Sequence, residues 1–216
     1  MDASIFEFNL DLSKSGAAGA LFDFDKLNNV TKKRVGHMSE EQIFASVSAW
    51  AERYDAKLHQ FIQNNMDTFR RSITVWHEKR LDVAKWSDLM EMYPYMYDPA
   101  FSVDAADLPA PFLPHKERIP EILADYLSVF DYDDDAAEWF SKVKEVATRH
   151  NYCVKMGAYK KRPEDYNGSI ADLSSFIRYA LTGTTNTPDL HGIIHVIGKD
   201  AAAGRVAAFL SKLANR

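Results

Sequence analysis

Ser39-Glu40-Glu41-Gln42-Ile43-Phe44-Ala45-Ser46-Val47-Ser48-Ala49-Trp50-Ala51-Glu52-Arg53-Tyr54 decides the fold class. Ile43, Phe44, Val47, Trp50, Ala51 and Tyr54 recur at about 3.6 residues, the period of an amphipathic helix. Ser39 followed three residues later by Gln42 fits a capping box, in which side chains satisfy orphan backbone donors at the helix start. The same period returns along the chain. Met66, Phe69, Ile73 and Trp76 form a second stripe, and Ile119, Ile122, Leu123, Tyr126, Leu127 and Phe130 a third, with Pro120 near its start. Ala136, Phe140, Val143 and Ala147 form a fourth, opened by Asp133, Asp134 and Asp135, whose charges complement a helix N-terminus. Ile170, Leu173, Ile177 and Leu181 form a fifth, stopped by Gly183. Thr187-Pro188 reads as the cap and first residue of a short helix ending at Gly198, and Val206, Phe209, Leu210 and Leu213 mark the last. Strand-like alternation is scarce. The expectation is an all-α protein of about nine helices, arranged as two helical subdomains forming a cage.

Outside these stripes the chain is less regular. Residues 1–38 are shorter in pattern and contain glycine, and residues 97–114 carry Pro99, Pro109, Pro111 and Pro114 among small residues, as a linker would. The expected divisions are 1–38, 39–104 and 105–216. The 216 residues are 46% hydrophobic and 26% charged, which excludes a disordered or collagen-like chain. No run of about 18 apolar residues signals a membrane span, and Met1-Asp2-Ala3-Ser4 does not open a signal peptide. The single cysteine, Cys153, excludes an internal disulfide and a cysteine-built zinc site. A cytoplasmic monomer with no membrane partner is expected. The net charge of −5 argues against non-specific duplex DNA binding, and no DNA partner is expected.

Several short patterns have a chemical and a plain reading. Ser13-Lys14-Ser15-Gly16 could contact phosphate, but GxxxxGK[ST] is absent and a solvated turn is expected. His191 and His195 could share a helix face and a metal. Gly192 stands where a zinc protease motif needs Glu, and no third ligand is near in sequence, so two helix-surface histidines are expected and no metal. Asp131, Asp133, Asp134 and Asp135 lack the alternate spacing and central glycine of a calcium loop. Cys153 lies near Arg149, His150 and Lys155, yet no catalytic triad follows from it, and no catalytic residue is assigned. The basic runs are richer. Arg149, Lys155, Lys160, Lys161 and Arg162 interleave with Tyr152 and Tyr159, and Arg70, Arg71, Lys79, Arg80 and Lys85 surround Trp76 and Trp86. Cations meet phosphates and flat rings stack on exposed bases in single-stranded RNA. Composition alone favours the plainer reading, solvated helix faces and core aromatics.

The order of motifs shifts that balance. Leu21-Phe22-Asp23-Phe24-Asp25-Lys26-Leu27-Asn28-Asn29 resembles the stem-contact segment of bacterial glutamyl-tRNA synthetases. Phe176-Ile177-Arg178-Tyr179-Ala180-Leu181-Thr182-Gly183 followed by Thr187-Pro188-Asp189-Leu190 resembles their anticodon-domain motif, and Ile197-Gly198-Lys199-Asp200 the segment that closes it. The family pattern often has Pro-Leu where this chain has Phe176-Ile177. The HIGH and KMSKS motifs of class I catalysis do not occur. The resemblance therefore implies the C-terminal part of a glutamate–tRNA ligase. Residues 1–38 would be the end of the stem-contact region, and 39–216 an anticodon-binding cage. It implies a glutamate-accepting tRNA as partner, no cofactor in this chain, and ATP and magnesium in the parent enzyme. It further implies that Arg178 contacts the anticodon, that Leu190 packs beside a base next to Thr187, and that Arg80 reads the third anticodon base. Lys160, Lys161 and Arg162 are expected to meet the RNA backbone. On a wheel Arg178 flanks the Ile170–Leu181 stripe, so its head is expected to stay open, and the free N–H groups after Thr187-Pro188 would favour a phosphate or a base acceptor. The alternatives are another class I synthetase (a non-discriminating glutamate type or the class I lysyl type) and a helical protein-interaction module without RNA.

Overall fold

The computed structural model describes Asp11, Ser13 and residues 23–77 and 82–214. Twelve α-helices occur among them: α1 (Phe24–Gly36), α2 (Glu40–Tyr54), α3 (Ala56–Asn64), α4 (Met66–His77), α5 (Leu89–Met92), α6 (Pro94–Tyr97), α7 (Ile119–Val129), α8 (Ala136–Arg149), α9 (Met156–Tyr159), α10 (Ile170–Thr182), α11 (Leu190–Ile197) and α12 (Lys199–Ala214). The all-α expectation holds. The count exceeds nine because α5, α6 and α9 are single turns of four residues, too short to show a period. The strands, β1 (Tyr152–Cys153) and β2 (Gly168–Ser169), are two residues each and pair in parallel. No described helix is long and apolar enough to cross a membrane.

The helix starts follow local chemistry. Ser39 accepts from the Gln42 N–H while the Gln42 side chain accepts from the Ser39 N–H, closing the box read in the sequence. Asp135 and Glu138 close an equivalent box at α8. Gly183 (φ +68°) ends α10 in the left-handed region, where a Cβ would be strained. Two stripes shift from their expected faces. In α8 the buried aromatic is Trp139, not the neighbouring Phe140, because the Trp139 indole N–H reaches the Tyr126 hydroxyl at 3.1 Å inside the core. In α4 Met66 is exposed, and Phe69, Ser72, Ile73 and Trp76 face inward.

Two hydrophobic clusters organise the described residues. The first gathers α2, α3, α4 and α6 around Ile43, Leu58, Phe69, Trp76 and Tyr97. The second gathers α7, α8, α10 and α12 around Ile122, Val143, Phe176, Ile177 and Val206. Helix α11 belongs to both: Leu190 and Ile194 enter the second, Ile193 and Val196 the first. Gly192 makes that seam close. A Cβ there would lie 2.8 Å from Val75 Cγ2 on α4.

The proline-rich stretch 97–114 does not behave as an open linker. Val103, Ala105 and Phe112 are buried in the second cluster, and Phe101 packs against both. Lys212 of α12 donates to Val103 O at 2.6 Å, and Arg205 donates to Tyr95 O at 2.8 Å and Leu181 O at 3.2 Å. Prolines forbid regular hydrogen bonding, so the backbone is irregular, but its apolar side chains still bury, and the Lys212 ammonium satisfies the Val103 carbonyl.

Candidate nucleic-acid interface

The expected site residues Arg178, Thr187 and Leu190 meet where α10 turns back into α11. Ser169 caps α10 with Asp172 in a third capping box, which fixes the rotation of the helix about its buried face of Leu173, Phe176, Ile177 and Leu181. Arg178 then falls on the flank of that face and is half-buried. Its Nη1 donates to the Thr187 hydroxyl and to Pro188 O at 2.9 Å. Thr187 Oγ1 donates in turn to Pro188 O at 2.9 Å. Thr182 Oγ1 donates to Arg178 O at 2.8 Å, and Thr184 N donates back to Thr182 Oγ1 at 3.4 Å. One guanidinium thus folds the 184–189 turn over the end of α10. The outer edge of that turn, Thr185 and Asn186, is exposed.

This arrangement corrects three expectations. The Arg178 head is engaged with the turn rather than held open. Helix α11 starts at Leu190, not at Pro188: Asp189 is its cap and accepts from Gly192 N at 2.8 Å. A carboxylate already occupies the helix start, so a phosphate there would meet negative charge. Leu190 is 3% exposed and sits in the second cluster, so it supports the turn from beneath and offers no open wall to a base. The cause is the apolar run Leu190-His191-Gly192-Ile193-Ile194, whose first leucine faces the core.

Arg80 falls outside the described residues, as do Lys14–Gly16 and Leu21-Phe22. Lys160, Lys161 and Arg162 are exposed on the turn after α9, between the two strands. Sequence reasoning missed Asp189, although Asp before an apolar run is a favoured N-cap. It also missed Arg205, the lone cation within Ala201-Ala202-Ala203-Gly204-Arg205-Val206-Ala207-Ala208. Burial pushes the Arg205 guanidinium down from its usual range, and its charge lies 4.9 Å from the centre of the Phe101 ring. His191 and His195 are half-buried rather than on the open surface, and their Nε2 atoms lie 3.1 Å apart.

A family model described as "Anticodon binding domain" matches residues 76–210, which include α10, the Arg178-bound turn and α11. The chain belongs to the anticodon binding domain family. Three glutamate–tRNA ligases resemble the chain along nearly its whole length. Those of Clostridium perfringens (strain SM101 / Type A) and Clostridium beijerinckii are each 32% identical over 214 residues, covering 97% of this chain. That of Acetivibrio thermocellus is 31% identical over 217 residues, again covering 97%. The chain spans only 39%, 39% and 38% of the length of those relatives, respectively.

Proposed function

We propose that this chain reads the anticodon of a glutamate-accepting tRNA as the recognition part of a glutamate–tRNA ligase. The amino acid is activated elsewhere, in a part of the parent enzyme that uses ATP and magnesium. This domain contributes binding and no catalysis, acts in the cytoplasm, and works as a monomer with neither DNA nor membrane as partner. The observation that carries the reading is the family match across residues 76–210, which contains the guanidinium-held turn between α10 and α11.

The chemistry of the turn fits such a task. An anticodon offers unstacked bases whose edges carry a fixed set of donors and acceptors. A reader must present complementary groups in fixed positions, because a buried group left unpaired costs about 1–3 kcal/mol. Arg178 supplies that rigidity through its two bonds to Thr187 and Pro188, and a planar guanidinium is pre-organised for holding two acceptors at once. In our reading Arg178 and Thr187 form the contact edge together with the exposed Thr185 and Asn186. Leu190 sets the height of the turn from the core. Arg80 reads the third base, and Lys160, Lys161 and Arg162 meet RNA phosphates. The net charge of −5 is no obstacle, because a local cationic face is enough to attract RNA.

Competition binding tests the proposal. A labelled glutamate tRNA transcript should bind in a salt-sensitive way and be displaced at least about tenfold better by itself than by the same tRNA with an exchanged anticodon. Equal competition by the two transcripts would overturn it.

A further inference from the structure

We propose that Arg205 is a positioning residue for anticodon discrimination: it fixes the end of α10, and with it the Arg178-bound turn, against α6 of the first cluster. The consequence for RNA rests on the proposed tRNA reading. The positioning itself rests only on the contacts of Arg205.

The last carbonyls of a helix have no partner within it. A single nitrogen of Arg205 serves such a carbonyl on two helices. Its Nη1 donates to Leu181 O in the last turn of α10 at 3.2 Å and to Tyr95 O in α6 at 2.8 Å. Leu181 belongs to the second hydrophobic cluster and Tyr95 to the first. The dipole of α10 favours a cation at that end. Helix α12 can present the cation there because Ala202, Val206 and Phe209 bury its other side in the second cluster. The contact continues into the loop. The guanidinium lies 4.9 Å from the centre of the Phe101 ring, and that ring meets Tyr95 edge-on at 6.2 Å. Phe101 Cζ also backs Gly183, 3.6 Å from where a Cβ would stand. Gly183 is the left-handed residue at which the chain leaves α10 for the 184–189 turn. Arg205, Phe101 and Gly183 thus form a continuous path from α6 to the root of that turn.

Two guanidiniums therefore set the turn. Arg178 folds it over the end of α10, and Arg205 decides where that end stands relative to the first cluster. Removing the Arg205 charge partly from water is costly and lowers its pKa, and the Asp98 carboxylate after α6 opposes that shift. Base discrimination needs contact groups held to within about 0.5 Å of their working positions. A turn that drifts with the end of α10 can adapt to a wrong base, whereas contacts to RNA phosphates elsewhere are untouched. The signature of positioning is a loss of preference larger than the loss of affinity for the glutamate tRNA.

Dissociation constants of the full chain for a glutamate tRNA transcript and for its anticodon-exchanged form test the role. Arg205→Met should lose at least about threefold of the parent's preference. Arg205→Lys keeps three donors on one nitrogen and should recover most of it. Ser39→Ala removes the cap of α2, far along the chain from this contact; it controls for lost stability and should keep the parent's preference. Hydrogen exchange reads the positioning without RNA. The amides of Gly183 and Thr184, which donate to Tyr179 O and Thr182 Oγ1, should exchange at least about tenfold faster in Arg205→Met than in Ser39→Ala. Circular dichroism checks that each variant is folded. Unchanged exchange at these amides in folded Arg205→Met would overturn the positioning. Faster exchange with the full preference retained, or equal losses of preference in Arg205→Met and Ser39→Ala, would overturn the role in discrimination. A parent chain without any preference would overturn the tRNA reading instead, and with it that role, while the exchange result still decides the positioning.

Discussion

Replacing Gly192 by alanine probes how closely the two hydrophobic clusters are joined. The residue lies in the first turn of α11, and an added methyl would meet Val75 Cγ2 at 2.8 Å and Val75 Cγ1 at 3.4 Å. Two effects oppose each other. Alanine gains up to about 1 kcal/mol of helix propensity over glycine. Overpacking a tight contact costs about 1–3 kcal/mol, and a β-branched valine cannot simply swing away. The clash wins, and Gly192→Ala should destabilise the chain by about 1 kcal/mol. The sign should reverse once the obstacle is removed. In a Val75→Ala background the same substitution keeps its propensity gain and should stabilise by up to about 1 kcal/mol, a coupling of about 1–2 kcal/mol. Urea unfolding of the four proteins, followed by far-ultraviolet circular dichroism, measures the cycle. Equal effects of Gly192→Ala in both backgrounds would refute the claim that backbone proximity at this glycine joins α11 to α4.

Two further outcomes follow from polar groups in the interior. Arg205→Met keeps an apolar stem over Phe101 but strips the donors from Tyr95 O and Leu181 O, and it should lower stability by about 1–3 kcal/mol; an unchanged urea midpoint would count against a stabilising role for these two bonds. Burial pushes the phenols of Tyr97 and Tyr126 above their usual range and that of Tyr152 up to about 12, against an unfolded value of about 10. The folded chain then holds more protons than the unfolded chain between these values. Stability should be complete below pH 10 and fall as pH rises towards 12, and Tyr152→Phe should shallow that fall, as read by unfolding midpoints across the range.

The sequence made the helices legible where chemistry is local. The Ser39–Gln42 box, the acidic run before α8 and the stops at Gly183 and Gly198 all depend on residues a few positions apart. Features that depend on distant partners were not legible in this way. Trp139 and Phe140 fit the period of α8 almost equally well, and only the Tyr126 hydroxyl, 13 residues away, decides which is buried. The prolines of 97–114 announced irregular backbone, but the cations that meet it, Lys212 on Val103 O and Arg205 over the Phe101 ring, lie on α12, more than a hundred residues on. Thr187-Pro188 looked like a helix start because both residues suit one, yet Asp189 is the better cap and the Thr187 hydroxyl is engaged by Arg178. Motif order brought Arg178 and Thr187 to attention. Their mutual contact and the burial of Leu190 arise from the turn that packs α11 against the second cluster.

The most direct measurement is a cycle between the protein and its RNA: dissociation constants of the parent chain and of folded Arg178→Ala for glutamate tRNA and for its anticodon-exchanged form. If the guanidinium-held turn reads the anticodon, the parent prefers the natural transcript and the alanine variant loses about tenfold or more of that preference, equivalent to about 1.4 kcal/mol. A folded Arg178→Ala protein that discriminates as well as the parent would contradict the account.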